Sequence, residues 1–466
     1  MMRPFPRGRG ATASATALTF AALTFAAPGG LAQAQDMAAD PHAGHHSPAP
    51  AAPAAQADPV DHAAMGHGSM DHAAMGHGPE HGAMTSALGP YPMSRDASGT
   101  AWQPDLSPHM GQMIPLGGWQ AMGHVLLNGV YVDQGGPRGG DKAFVAGMIM
   151  GMAQRPVGPG VLSLRAMLSP DPFMGKSGYP LLLAAGETAD GVNLLVDRQH
   201  PHEAFMELSA SYSLPLSSRS SLFIYGGLPG EPAYGPPSFM HRFSGLDSPE
   251  APISHHWMDS THITFGVLTA GLVRDDWKLE ASAFRGREPD AQRWDIETGP
   301  LDSWSARVSY NPAPSWALQA SYADIHSPEA LDPHHDERRL SLSAAYARPV
   351  GADGLLAVTV AAVRKDVVPG DVLWAGLTEA AYSPDDRWTF FGRAEQVDQN
   401  ELAGHGHGET TRVARLSLGA IHDWRISPRV KIGLGALVSA FDIPGALGDD
   451  YGDPRGGMAF VRLKIG

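Results

Sequence analysis

Polar and apolar residues alternate with a period of two along most of the chain after Gln112. In SWSARVSYN, Trp304, Ala306, Val308 and Tyr310 fall on one face, while Ser303, Ser305, Arg307 and Ser309 fall on the other. MELSASYSLPL sets Leu208, Ala210, Tyr212 and Leu214 against Glu207, Ser209, Ser211 and Ser213. RLSLSAAYA repeats the pattern with Leu340, Leu342, Ala344 and Tyr346, and VKIGLGALVSA with Val430, Ile432, Leu434, Ala436 and Val438. Successive side chains of a strand point to opposite faces, so this pattern belongs to a sheet with one apolar and one polar side. A helix, with about 3.6 residues per turn, does not keep such an alternation in step.

Read this way, the chain predicts about sixteen strands, beginning near Trp119, Phe144, Gly160, Ala204, Ser220, Ile263, Trp277, Ser303, Trp316, Arg339, Leu355, Val372, Trp388, Arg412, Val430 and Gly457. Their connections alternate in length. Short turns fall at 156–160, 215–220, 274–276, 311–315, 348–354, 383–387 and 427–429. Long loops fall at 133–143, 170–203, 228–262, 287–302, 327–338, 365–371, 398–411 and 442–456. Tight turns on one rim and long loops on the other are the mark of an outer-membrane barrel, and closure leaves no sheet edge exposed. The expectation is therefore all-β: a transmembrane antiparallel β-barrel of about 16 strands, within a range of roughly 14–18. An even number puts both ends of the barrel on the periplasmic rim. Trp277, Trp304, Trp316, Trp388 and Trp424 sit near strand ends, where interface girdles form. The competing architecture, a soluble sandwich or propeller, has no reason to alternate its loops.

The first part of the chain reads differently. Arg3, Arg7 and Arg9 precede an apolar run from Ala11 to Ala27, followed by Ala32-Gln33-Ala34. This is the layout of a cleaved secretory signal, residues 1–34, with the mature chain starting near Gln35. Residues 35–111 are dominated by Ala, Pro, Gly, His, Met, Ser and Asp and lack the branched aliphatics needed to offset backbone entropy, so a disordered periplasmic tether is expected there. The barrel is assigned to 112–466. The absence of cysteine excludes disulfides and thiolate metal sites, and a net charge of −15 without a basic stripe excludes a nucleic-acid partner.

Within the tether, the octamer DHAAMGHG occurs twice, ten residues apart. It supplies His62, Met65, His67, His72, Met75 and His77, with Met70, His81 and Met84 alongside. Thioether sulfur is a soft donor suited to Cu(I), and imidazole suits Cu(II), zinc and nickel. The glycines and alanines between them let a loop wrap an ion. Copper is the expected ligand, zinc or nickel the alternatives; a polar spacer grown by repeat slippage is the competing explanation.

A Met/His repeat followed by a barrel resembles the copper-resistance protein B type of outer-membrane protein. The stretches MSRDASGTAWQP, DRQHPHEAFMELSASYS, GLPGEPAYGPPSFMHRFSG, HHWMDSTHITFGV and FRGREPD are similar to a group of proteobacterial outer-membrane barrels associated with heavy-metal resistance. The resemblance implies outer-membrane lipid, copper ions and periplasmic metal-handling proteins as partners. It implies no established activity.

Histidines also cluster in the expected external loops. QHPHE places His200 and His202 two apart, and HHWMDSTH places His255, His256, Asp259 and His262 within eight residues. Loops of this length reach into a lumen, where such groups either ligate a metal or hold the loops together by hydrogen bonds. Three functions follow from these readings. The first is copper binding in support of metal resistance, by sequestration or passage. The second is a general porin or structural barrel with an incidental tether, and the third a loop-borne metal-dependent hydrolase. No nucleophile elbow, HExxH helix or phosphate loop is present, and no enzymatic activity is expected.

Overall fold

The alternation becomes a closed wall. A computed structural model describes residues 84–402 and 410–466. The signal, the repeats with His62, Met65, His67, Met70, His72, Met75, His77 and His81, and the loop histidines His405 and His407 lie outside the described residues. In chain order the strands are β1 (Gln112–Leu116), β2 (Trp119–Gln134), β3 (Gly140–Val157), β4 (Gly160–Leu168), β5 (Tyr179–Thr188), β6 (Leu194–Gln199), β7 (Phe205–Ser217), β8 (Ser220–Gly227), β9 (Val267–Arg274) and β10 (Trp277–Phe284). They continue with β11 (Ser303–Ala313), β12 (Trp316–Ile325), β13 (Asp336–Val350), β14 (Gly354–Val368), β15 (Val372–Ser383), β16 (Trp388–Gln399), β17 (Thr411–Ser427), β18 (Val430–Asp442) and β19 (Gly456–Ile465). Sixteen of them, β2–β4 and β7–β19, pair antiparallel with a neighbour on each side. β19 pairs back onto β2, with Ile465 opposite Val125 and Gly456 opposite Gln134, and so closes the cylinder. β1 pairs with Trp119–Gly123, below the point where β19 runs out, and β5 with β6 forms a separate hairpin.

Each of the sixteen begins within four residues of its expected start. The loops differ more. The connection expected at 133–143 shrinks to residues 135–139, and that at 365–371 to 369–371. Backbone pairing continues past the apolar part of the wall through polar residues such as Asp141, Lys142, Lys365 and Asp366. The strict alternation of long and short connections therefore breaks at these two places.

The apolar face of the cylinder looks outward. Leu222, Leu279, Leu342, Leu418, Leu434 and Val461 are all more than 40% exposed, and a soluble monomer rarely shows apolar surface so continuous. Aromatic residues frame this band. At the rim of short turns Trp277 stacks on Tyr310 at 4.0 Å and Trp316 lies 4.8 Å from Tyr346; toward the other rim Trp304 lies 5.4 Å from Tyr322. Trp304 to Tyr310 and Trp374 to Tyr382 span roughly 20–26 Å of strand, comparable with the apolar band of about 25 Å in outer-membrane barrels. A closed sheet, apolar outside and girdled at both rims, is a barrel of the Gram-negative outer membrane.

Inside, Lys278, Glu280, Arg307, Arg339, Glu379, Arg393, Arg415 and Arg462 are buried, and buried charges persist only when paired. Their partners come from chain folded back into the lumen. Residues 228–266 cross it: Arg242 donates to Glu379 at 2.6 Å, Ser254 Oγ to Glu395 at 2.8 Å, and Arg339 to Ser260 Oγ at 2.8 Å. Glu250 accepts from Arg415 and Asp247 from Arg462. The periplasmic half is filled by residues 84–111, which composition assigns to the tether. Leu88, Tyr91 and Trp102 pack there against Phe223 and Val273 of the inner wall.

Candidate metal centre

Five histidines of the folded-in loops meet in mid-lumen. His200 and His202 follow the end of β6. His255 and His256 open α1 (His255–Met258), a single helical turn, and His262 ends the turn Ser260–His262. The rings of His202 and His262 are 5.2 Å apart, those of His255 and His262 5.1 Å, and those of His202 and His255 6.4 Å. One ligand nitrogen from each of these three lies within 4.8 Å of the others, and all three residues are buried. Nitrogens held about 2.0–2.1 Å from one ion sit closer still, so small ring rotations bring the set into bonding distance.

What stands behind the rings decides which nitrogen they offer. His202 Nδ1–H donates to the Asp171 carboxylate at 2.8 Å, His255 Nδ1–H to Asp259 Oδ1 at 2.7 Å, and His262 Nδ1–H to the Asp259 carbonyl at 2.6 Å. Carboxylates and carbonyls only accept, so each proton sits on Nδ1 and each Nε2 keeps a lone pair. Metal-binding histidines are oriented in this way, with the outer nitrogen tied to an acidic group or carbonyl. The Nε2 atoms of His202 and His262 are buried without a hydrogen-bond partner, a loss of roughly 1–3 kcal/mol each that a bound ion would recover. Burial pushes the His262 pKa well below the usual histidine range, which keeps the imidazole neutral and able to ligate.

The helical turn explains part of the geometry. His255 and Asp259 are four apart, so they lie on one side of the turn, and Arg242 fixes Asp259 from behind at 2.9 Å. Burial raises the Asp259 carboxyl, but the hydrogen bond from His255 and the Arg242 guanidinium outweigh it and hold it below its usual range. Expected as a ligand, Asp259 is instead committed to His255, Arg242 and the Phe239 N–H. His200 and His256 form an outer layer. His200 Nε2 lies 3.1 Å from Glu187, and His256 Nδ1 lies 3.8 Å from Glu288. Burial pushes Glu288 up to about 8. His256 packs on Gly186, where a Cβ would come within 2.6 Å of the ring and φ is +131°, so that position requires glycine. In the same hairpin Leu183, Glu187 and Asp197 hold positive φ angles of 72°, 56° and 57°, strain that the surrounding packing must sustain.

His202 also borders a cavity of about 40 Å³, lined with Asp171, Tyr179, His200, Phe239 and Met240 among others. All the loop residues singled out in the sequence thus converge, with His202, His255 and His262 close enough to share one ion and His200, His256 and Asp259 around them. Asp171 was not singled out, because it lies 31 residues from His202 and no spacing links the two. Of the tether's candidate ligands, Met84 alone is described; its carbonyl accepts from the Met93 N–H at the start of the lumen segment.

No protein-family model matches the chain, and no curated protein matches it. Among solved structures it is similar to OmpF of Salmonella typhi in complex with daunomycin, with 10% identity, 76% of this chain and 100% of that one covered, and a TM-score of 0.49. It is similar to an anion-selective porin from Comamonas acidovorans, with 11% identity, coverage of 74% and 98%, and a TM-score of 0.43. It is also similar to the outer-membrane channel DcaP of Acinetobacter baumannii, with 10% identity, coverage of 75% and 98%, and a TM-score of 0.42.

Proposed function

We propose that this outer-membrane barrel binds copper, at His202, His255 and His262 in its lumen and at the Met/His repeats that precede it, and supports metal resistance by sequestration or passage. The observation that carries the reading is the convergence of three buried imidazoles whose Nδ1 atoms are all tied back, leaving Nε2 of each for one ion. Imidazole alone accepts Cu(II), zinc or nickel; the thioethers of Met65, Met70, Met75 and Met84 favour copper among these.

The test is a Cu(II) titration of the full-length protein in detergent, followed by electron paramagnetic resonance. Among the bound equivalents, one with nitrogen coupling is expected to be lost in His255→Ala and to persist when 60–84 is deleted. Binding that His255→Ala does not alter removes the lumen centre. The same deletion is expected to lower copper tolerance in cells while the barrel still assembles. A general porin is the rival reading, and it expects an open conductance in planar bilayers that copper does not change. The loops that cross the lumen favour a low conductance that responds to the metal.

A further inference from the structure

Outside the histidine centre, soft donors gather on one sector of the wall. His124 of β2 stands opposite Met150 of β3, and Met150 stands opposite Met167 of β4. The three therefore form one cross-strand row facing the lumen, with Cβ atoms of direct neighbours about 4.5–5.5 Å apart. One row nearer the periplasmic rim, Met122 stands opposite Met152. From the lumen side, His241 brings Nε2 to 3.3 Å from the Met167 sulfur. Met110, Met122, Met150, Met152, His124 and His241 line a cavity of about 60 Å³.

We infer that this cavity, together with the Met167 sulfur that meets His241 at its edge, is a second metal site, built for a soft monovalent ion such as Cu(I), with Met150, Met167, His124 and His241 as its ligands. Two observations separate it from an apolar filling of the wall. The buried Nε2 of His124 has no hydrogen-bond partner, and a thioether is a weak acceptor for His241. On β11 and β13 the inward positions are polar, with Ser305, Arg307 and Ser309 on the one and Glu337, Arg339 and Ser341 on the other, while β14–β16 and β19 turn Val363, Leu377, Val397 and Phe460 inward. On β3 and β4 inward positions carry thioethers. Sulfur and imidazole together, without carboxylate or thiolate ligands, suit a d10 monovalent ion better than a hard divalent one. Arg165 and Asp96 also border the cavity, with opposite charges.

The site has a place in the molecule. Met240 and Met148 border the cavity beside the histidine centre, while His241 and Met150 border this one. Adjacent or alternate residues thus face the two chambers, and donors run from the periplasmic rim, at Met110 and Met122, toward mid-lumen. The ligands are not those of the three-histidine centre, so either site stands without the other.

The experiment uses full-length protein in detergent, labelled with methyl-13C methionine, and Ag(I) as the probe. The Met150 and Met167 resonances are assigned with Met150→Leu and Met167→Leu. Both are expected to shift and saturate, His124→Phe is expected to weaken that response at least tenfold, and His255→Ala to leave it unchanged. If His124→Phe fails to give the compact band of a folded barrel on unheated gels, the Leu double variant replaces it and is expected to bind one Ag(I) fewer. Resonances that stay in place while other methionines saturate, or an unchanged count in the double variant, overturn the inference.

Discussion

Asp171 and Asp259 touch no ion in the proposed centre, yet they set the direction in which His202 and His255 face. Asp171→Asn keeps the volume and removes the charge, and its amide can turn a donor toward His202. It is expected to weaken Cu(II) binding by about 10–100-fold, the usual cost of losing such a partner, with barrel assembly unchanged; a titration beside the wild type checks it. At this scale the sequence was partly readable. Histidines two apart in QHPHE and up to seven apart in HHWMDSTH name their own cluster. Asp171 does not, because only the fold carries it to His202. Met148, Met150 and Met152 show a period of two in plain view. Their meaning depends on register, since only pairing brings Met150 beside His124 and Met167.

Strands announced themselves because each must hide one face from water and show the other to lipid, and that demand is written residue by residue. The lumen elements answer to no such rule. Residues 84–111 and 228–266 are rich in glycine, proline and serine, and they are stabilised by wall side chains distant in sequence, so composition alone reads them as loop or tether. The β5–β6 hairpin and α1 were missed for the same reason. Removing residues 236–258 tests what the crossing loop does. It takes away Arg242, Asp247 and Glu250 and leaves Arg393, Arg415 and Arg462 without their loop partners. The expected product conducts at least tenfold more in planar bilayers and selects anions, because the unmasked guanidinium groups line the opening. The reversal potential in a salt gradient reads the selectivity directly.

For the molecule as a whole, the outward band and the inward charges are two sides of one alternation. Leu418 is 55% exposed near the middle of β17. Leu418→Arg is expected to cost roughly 2–4 kcal/mol if it lies at the bilayer midplane, read as a lower urea midpoint for the barrel refolded in lipid vesicles. The moorings of the lumen segment have a different consequence. Arg165 donates to the carbonyls of Ala97 and Gly99, Lys278 to that of Thr100, Ser213 to that of Ala87, Ser221 to that of Leu88, and Asn311 to that of Gln103. The wall grips this cork largely by its main chain, which every amino acid shares, with side-chain bonds confined to Arg95, Thr100 and Asp105 among those that reach the wall. Side chains such as Met93 and Met110 can therefore be exchanged to retune which ion the lower chamber prefers, while the cork stays seated.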